Sequence, residues 1–483
     1  MITLKIDNVQ TKVSNLNKHQ LEDIKEMLSY STMEYFGKKH IEIKRTLYDN
    51  SKNTFPTGLL TSVIKYLKLN QFEYELDDQR EAYIDDEIQI QGVELRNYQQ
   101  EVVDIAVAKQ RGIIQVATGG GKTLIAAAIA AKLNIPTIFC VHTKDLLRQA
   151  HDAFSNVLKI PIGIIGAGQV KVEKINICMI QTLSNALNFK YIPADEFDTY
   201  AEESPSMKNK AIILEMIAKA QCVIVDECHH ISAQTYVSLM TSLPGACFRY
   251  GLSGTPYRDD GRDLVLYAFA GKSLCQISAS YLISKKYLMQ PTIYVISPGT
   301  REYNDGGTKN YAAVYSEYIV ENKLRNKTVA DYAKSFYDKN RKTLILVTQV
   351  KHGKILRDLI REHDDKVELL TGEVDFEIRT ALIEKMKKGK LHTIIGTSLA
   401  DEGLDIPIID TLILAGGGKS SVRALQRIGR VLRIHPEKQQ PIVIDFYDYV
   451  RFLLGHSKKR LAIYKTEESF KIVDRQDRSD DWQ

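Results

Sequence analysis

The chain has no apolar run approaching the ~20 residues that a membrane-spanning helix requires, so a membrane protein of the helical kind is not expected. It has no CxxC pair among its six cysteines, several of which sit inside apolar runs. Buried free thiols in a reducing compartment fit that spacing better than disulfides or a zinc site. Met1 to Ile6 alternates like a strand and polar sequence follows, which is unlike a signal peptide. Internal repeats and low-complexity tracts are absent too. Charge of one sign is scarce: 65 Lys and Arg face 60 Asp and Glu, for a net +5. That balance permits a phosphate-backbone ligand without demanding one. Local clusters are more telling, with Lys38, Lys39, Lys44 and Arg45 near the start and Lys458, Lys459 and Arg460 near the end. Each reads first as a solvated face.

What is present is organised by strand and helix. At 44% hydrophobic and 26% charged, 483 residues suffice for three or four structural units. Residues 1–90 read as a small α+β module with strands at 2–6 and 72–76 and helices near 18–29 and 57–69. Residues 91–297 alternate short apolar strands with helices, the pattern of a parallel α/β sheet. Residues 298–310 are turn-rich, and a second alternation follows to about 450. The expected division is therefore 1–90, 91–297, 298–450 and a charged tail at 451–483. The Asp/Glu-rich turn at 77–87 reads as a linker, and no role follows for the polar insertion at 184–218.

Two segments carry chemistry. Ile113, Ile114 and Val116 suggest a buried strand, and Leu124 to Leu133 reads as an Ala-rich helix. Between them, Gly119, Gly120 and Gly121 let backbone N–H groups turn inward on phosphates without a Cβ clash. Lys122 would meet the β- and γ-phosphates, and the Thr123 hydroxyl would ligate Mg²⁺. The general pattern asks for glycine five positions before Gly121, where this chain has Val116. About a hundred residues later, Val223-Ile224-Val225 ends in Asp226-Glu227, an apolar strand delivering two carboxylates to a sheet edge. Asp226 would hold Mg²⁺, and Glu227 would orient and deprotonate the attacking water. Together they read as the halves of one ATP site.

A second glycine run competes with the first. Gly416-Gly417-Gly418-Lys419-Ser420 follows an apolar strand, and Ile442-Val443-Ile444 ends in Asp445. The short separation between Lys419 and Asp445 argues against a second site. Lys419 reads instead as a cation near nucleic acid or a domain cleft.

In order along the chain, the motifs resemble those of superfamily 2 DExH helicases over roughly residues 95–446. Leu95-Arg96-Asn97-Tyr98-Gln99 looks like the adenine-reading segment, with Gln99 as reader. Ala117 to Thr123 is similar to the phosphate-loop motif, including Thr118. His142 to Gln149 and Ile180 to Leu183 resemble two backbone-contact motifs, which implies Thr143, Lys144, Gln181 and Thr182 on a nucleic-acid strand. The DECH stretch includes His229, which with Ser253 and Thr255 of Ser253-Gly254-Thr255-Pro256 would couple hydrolysis to strand contacts. In the second half, Leu344 to His352 looks like motif IV. Thr397 to Pro407 resembles motif V, implying Thr397 on nucleic acid and Gly403 and Asp405 on nucleotide. Gln426 to Arg433 is similar to motif VI, with Gln426, Arg430 and Arg433 on the transferred phosphoryl group.

The flavour within the superfamily is that of UvsW-type recombination and XPB-type repair helicases. Asn53 to Leu60 also looks like the appended module of the phage type, which would make Lys38, Lys39, Lys44 and Arg45 DNA contacts. The resemblance implies two tandem RecA-like domains, ATP and Mg²⁺ as cofactors, and a monomer acting 3′ to 5′ on single-stranded and branched duplex DNA. It also implies the cytoplasm of a bacterial or phage-infected cell. Because backbone contacts do not separate DNA from RNA, an RNA remodeller stays open. A nucleotide-gated binding protein with little turnover fits less well, because Lys122, Asp226, Glu227, Arg430 and Arg433 are all present, and the motor subunit of a restriction complex would normally bring a nuclease or methylation-associated domain.

Overall fold

The computed structural model describes all residues except 37–38, 193–205, 255–262, 298–309, 373, 375, 398–405, 419–420 and 476–483. It falls into two compact units: residues 1–116 with 121–276, and residues 277–483 with the short stretch 117–120. The candidate site residues Lys38, Thr255, Gly403, Asp405 and Lys419 lie outside the described residues.

The first unit begins with β1 (Ile2–Ile6) and β2 (Gln10–Ser14), antiparallel and closed by a tight turn. Ile2, Leu4 and Ile6 alternate inward as period-two spacing demands. The Lys18–Met27 helix starts where Asn17 and Gln20 satisfy each other's backbone N–H groups in a reciprocal cap, both at 2.9 Å. A hairpin of β3 (Ser29–Phe36) and β4 (Lys39–Thr46) follows, then β5 (Thr54–Pro56), the Leu60–Leu69 helix and β6 (Tyr74–Asp78). The main sheet order is β5-β2-β1-β6.

This module does not stand apart. Its core residues Leu4, Val13, Ile24, Phe55 and Leu67 are continuous with Ile113, Ile138 and Val223 of the next sheet. Asn8 Nδ2 donates to the Pro244 carbonyl at 3.0 Å, and Arg111 Nη2 to that of Asn8 at 3.3 Å. At Gly58 a Cβ would lie 2.3 Å from the Tyr267 carbonyl, so only glycine allows the approach to the Asp263–Ala270 helix. The expected linker at 77–87 runs on as a strap, with Asp85 and Ile88 N–H donating to the Leu133 and Ala131 carbonyls.

The larger sheet of this unit comprises β7 (Arg111–Val116), β8 (Thr137–Val141), β9 (Gly163–Gly166), β10 (Gln169–Lys171), β11 (Ile175–Met179), β12 (Cys222–Val225), β13 (Phe248–Ser253) and β14 (Ser273–Ile277). Their order is β10-β9-β11-β8-β12-β13-β7-β14. β8 and β12 are buried at every position, as strands covered on both faces must be.

The second unit is a seven-stranded sheet of β15 (Thr292–Ile296), β16 (Thr343–Val347), β17 (Glu368–Leu370), β18 (Thr393–Thr397), β19 (Thr411–Ile413), β20 (Ile442–Phe446) and β21 (Lys471–Arg475). The order is β17-β18-β16-β19-β20-β15-β21, parallel throughout.

Two expectations are corrected here. The boundary at 297 falls inside this unit, because β15 pairs with β20. The presumed charged tail from 451 instead supplies the Leu453–Tyr464 helix and β21, which pairs with β15. Buried Leu453, Ser457, Arg460 and Tyr464 recur at helical spacing, a stripe hidden among the lysines.

Candidate ATP and nucleic-acid site

The phosphate loop links β7 to the Lys122–Leu133 helix. Gly119 (φ 86°) and Gly121 (φ 83°) take the left-handed conformation, which an L side chain adopts only with strain. Gly120 N–H donates to the Ala117 carbonyl at 2.9 Å, closing the turn. A Cβ on Gly121 would also come within 2.5 Å of Gln99 Nε2. Gln99 is buried and held there by its own Oε1, which accepts the Arg96 N–H at 2.9 Å. The proposed adenine reader and the phosphate loop therefore touch. Thr118 and Thr123 are half-buried on the loop and the first helical turn.

Asp226 and Glu227 arrive on the neighbouring strand edge. Asp226 N–H donates to the Cys140 carbonyl at 2.9 Å, tying the end of β12 to β8. Lys122 Nζ lies 2.9 Å from Glu227 Oε1, an ion pair with 11% and 17% of its side chains exposed. Glu227 sits at φ 42°, ψ 49°, and its Oε2 accepts the Gly254 N–H at 3.2 Å. His229 Nδ1 is 3.5 Å from the same oxygen and 2.9 Å from Ser253 Oγ. Phosphate lysine, carboxylate pair, histidine and the end of β13 thus form one connected polar network.

Burial pushes the Asp226 carboxyl up to about 6, reinforced by the charge of Glu227 and opposed by Lys122 and His142. A buried carboxylate paired with a like charge is poised to accept a cation. In sequence, His142 stands out only as part of a motif. It lies buried at the residue after β8, and its adjacency to Asp226 arises from strand order. The Gly254 amide is likewise invisible in sequence, because backbone groups carry no residue-type signal.

The candidate nucleic-acid residues are less uniform. Thr143 is buried and caps the Lys144–Leu158 helix, its Oγ1 accepting the Leu146 N–H at 3.2 Å. Lys144 beside it is exposed. Gln181 and Thr182 are buried in the first turn of the Ile180–Ala186 helix. Thr397 ends β18 with a buried Oγ1 that has no hydrogen-bond partner among the described residues. On the hairpin, Lys44 pairs with Glu26, and Arg45 is exposed. Lys39 lies on β4 opposite Phe36.

In the second unit, Gln426 and Arg430 are one turn apart on the Ser421–Val431 helix, both half-buried. Arg433 follows the helix end, where its backbone bridges Leu288 and its carbonyl accepts Lys438 Nζ at 3.0 Å. The competing glycine run is built for a different task. Its carbonyls point to donors: Ala415 to Arg325 at 3.0 Å, Gly416 to Tyr315 at 2.7 Å, Gly418 to Arg460 at 3.1 Å. Asp445 is occupied as well, bound by Arg460 Nε and the Tyr464 hydroxyl, each at 2.9 Å. A phosphate cradle needs free N–H groups and a free carboxylate, whereas the Gly416 and Gly417 N–H groups donate to the Leu346 and Leu414 carbonyls at 2.9 and 3.4 Å; over its described residues this loop is a strut.

Comparison with known proteins agrees with this geometry. The family model described as "Type III restriction enzyme, res subunit" matches residues 92–258. The "Helicase conserved C-terminal domain" matches residues 326–435. A putative helicase of Sulfolobus islandicus filamentous virus is 28% identical, covering 77% of this chain and 68% of its own. The DNA 3′-5′ translocase XPB2 of Sulfurisphaera tokodaii is 26% identical over 71% of this chain and 79% of its own. The ATP-dependent DNA helicase uvsW of Enterobacteria phage T4 is 25% identical over 78% and 76%. Among solved structures, a putative HsdR subunit fragment of a type I restriction enzyme from Vibrio vulnificus shares the fold at a TM-score of 0.56 and 18% identity, covering 93% of this chain and 91% of that one. No described helix is long and apolar enough to cross a membrane. Two RecA-like sheets, a phosphate loop joined to a DECH carboxylate pair and both halves of the helicase core matched in order support an ATP-dependent helicase that resembles those of superfamily 2.

Proposed function

We propose that this enzyme is a DNA translocase moving 3′ to 5′ on forked or branched recombination and repair intermediates. The observation that carries the ATP-driven part is the ion pair of Lys122 with Glu227 beside the buried Asp226. Direction and DNA as the substrate are supported by two relatives, a DNA 3′-5′ translocase and an ATP-dependent DNA helicase.

In the proposed cycle, incoming triphosphate draws Lys122 away from Glu227 toward the phosphate oxygens. That frees Glu227 Oε1 to accept a proton from the attacking water. Oε2 keeps the Gly254 N–H and the contact with His229, so the carboxylate turns about a fixed point. Asp226 and the Thr123 hydroxyl are hard oxygen donors that suit Mg²⁺ and would hold it, supplying charge neutralisation on the β- and γ-phosphates. Gln426, Arg430 and Arg433 take the role of stabilising the charge that develops on the transferred group. The His229–Ser253 bond passes the state of Glu227 to the segment after β13, which couples hydrolysis to strand contacts. Thr143, Lys144, Gln181, Thr182 and Thr397 are assigned to the nucleic-acid backbone, and Lys38, Lys39, Lys44 and Arg45 to duplex DNA.

The test is the ATPase rate of wild type and Lys122→Ala with single-stranded DNA, duplex DNA, forked DNA and single-stranded RNA. The proposal expects stimulation by DNA, strongest with the fork and lost in the variant. Stimulation by RNA alone would overturn the DNA assignment while leaving the ATP site intact.

A further inference from the structure

The loop between β20 and the Leu453–Tyr464 helix contains a backbone feature that the ATP site does not explain. Phe452 has φ 65° and ψ −49°, and Leu453 N–H donates to the Arg451 carbonyl at 2.8 Å. This is the positive-φ γ-turn, a rare and strained form for any residue with a side chain. Glycine would adopt it without that penalty, so the ring must serve a purpose that glycine cannot.

The ring is not simply buried. Phe452 remains 37% exposed, with the Arg451 guanidinium 4.6 Å from its centroid and Tyr311 edge-on at 6.1 Å. Tyr311 also meets His456 at 5.6 Å and Tyr315 at 5.8 Å. Tyr315 in turn bonds the Gly416 carbonyl and the Thr348 hydroxyl. Thr348 follows β16, Gly416 follows β19 and Thr397 ends β18, so the aromatic group lies on the same carboxyl edge of the sheet as Thr397, a candidate nucleic-acid residue of this unit. Open α/β sheets bind their ligands on that edge.

The support beneath is rigid. Asp448 forms a buried ion pair with Arg325, and its N–H donates to Ser457 Oγ at 3.1 Å. The surroundings favour a polyanion. Arg451, Lys458 and Lys459 are exposed, while the carboxylates of the segment, Asp445 and Asp448, are consumed by buried arginines. A planar ring flanked by a guanidinium and aromatic edges, beside cations, suits an unpaired nucleobase.

We propose that Phe452, in contact with Arg451 and Tyr311, is a stacking platform for one base of single-stranded nucleic acid passing over the second unit. This rests on the reading of the chain as a nucleic-acid motor.

Phe452→Gly removes the ring while relieving the backbone, so its thermal midpoint should not fall. Binding is measured by anisotropy with a single-stranded DNA oligomer and with an abasic oligomer of the same length. Loss of the stack should weaken the normal oligomer at least about five-fold and leave the abasic one unchanged. Phe452→Tyr should restore wild-type affinity. Equal affinity of Phe452→Gly and wild type for the normal oligomer overturns the platform, as does equal weakening on both oligomers. Wild type that binds neither oligomer overturns the motor reading itself, and with it the platform.

Discussion

Replacing Glu227 by Gln separates the charge of that side chain from its shape. Glu227 occupies a left-handed backbone position, and Gln bears the same conformational cost there. The amide oxygen still accepts the Gly254 N–H at the 3.2 Å site of Oε2. What disappears is proton acceptance and the 2.9 Å ion pair with Lys122. Removing a positioned general base lowers turnover by about 10²–10⁴-fold. Nucleotide affinity should hold or improve, since Lys122 no longer has to leave a carboxylate. The stability change is small because two effects oppose each other. Loss of the partly screened pair destabilises by roughly 1–3 kcal/mol. Relief of the repulsion that helps push the Asp226 carboxyl up to about 6 offsets much of it. The assay is DNA-stimulated phosphate release alongside binding of a fluorescent nucleotide. Turnover within three-fold of wild type would refute the base assignment. Lost nucleotide binding would refute the claim that shape is preserved.

Asp445→Asn tests the strut reading of the second glycine run. It should leave one nucleotide bound per chain but destabilise the fold by about 3–5 kcal/mol, because Arg460 is left buried without its carboxylate; a stoichiometry of two in wild type, falling to one in the variant, would sink that reading. His352 supplies a pH test. Its Nε2 meets Asn326 Oδ1 at 2.9 Å, and burial, with Arg325 nearby, lowers its pKa from 6.5 to about 3. A depressed folded pKa means that the unfolded chain takes up the proton first, so this contribution is present above pH 6.5 and lost as pH falls toward 3. His352→Gln should therefore narrow the stability gap to wild type across that window by an amount on the order of 4 kcal/mol. Parallel denaturation curves at pH 7 and 4, with an unchanged gap, would show that the imidazole is not held neutral.

The local pattern is enough to propose an ATP site. Gly119 to Thr123 and Val223 to Glu227 each announce themselves within a few residues, because a phosphate turn and a buried strand impose short-range requirements on φ, side-chain volume and polarity. The helices of the first module are equally legible from apolar spacing. The order of the motifs along the chain carries the superfamily, since nothing in that order depends on distant contacts.

Other features are decided only by tertiary structure. The glycine runs at 119–121 and 416–418 look alike in sequence, yet one keeps Lys122 beside a carboxylate pair and the other has its carbonyls tied down by Arg325, Tyr315 and Arg460. Those donors lie 42 to 101 residues away, beyond any local window. The same reason explains why 451–475 reads as a tail: its lysines are visible in sequence, whereas the pairing of β21 with β15 and the buried Arg460–Asp445 bond are not. The first module likewise reads as separate, but Gly58 shows why it joins the rest of its unit, with its backbone approaching that of the Asp263–Ala270 helix too closely for any Cβ. Sequence determined which residues could do the chemistry, because that depends on residue type and short spacing. The fold determined which of two similar candidates is placed to do it, because hydrogen-bond partners are assigned by packing.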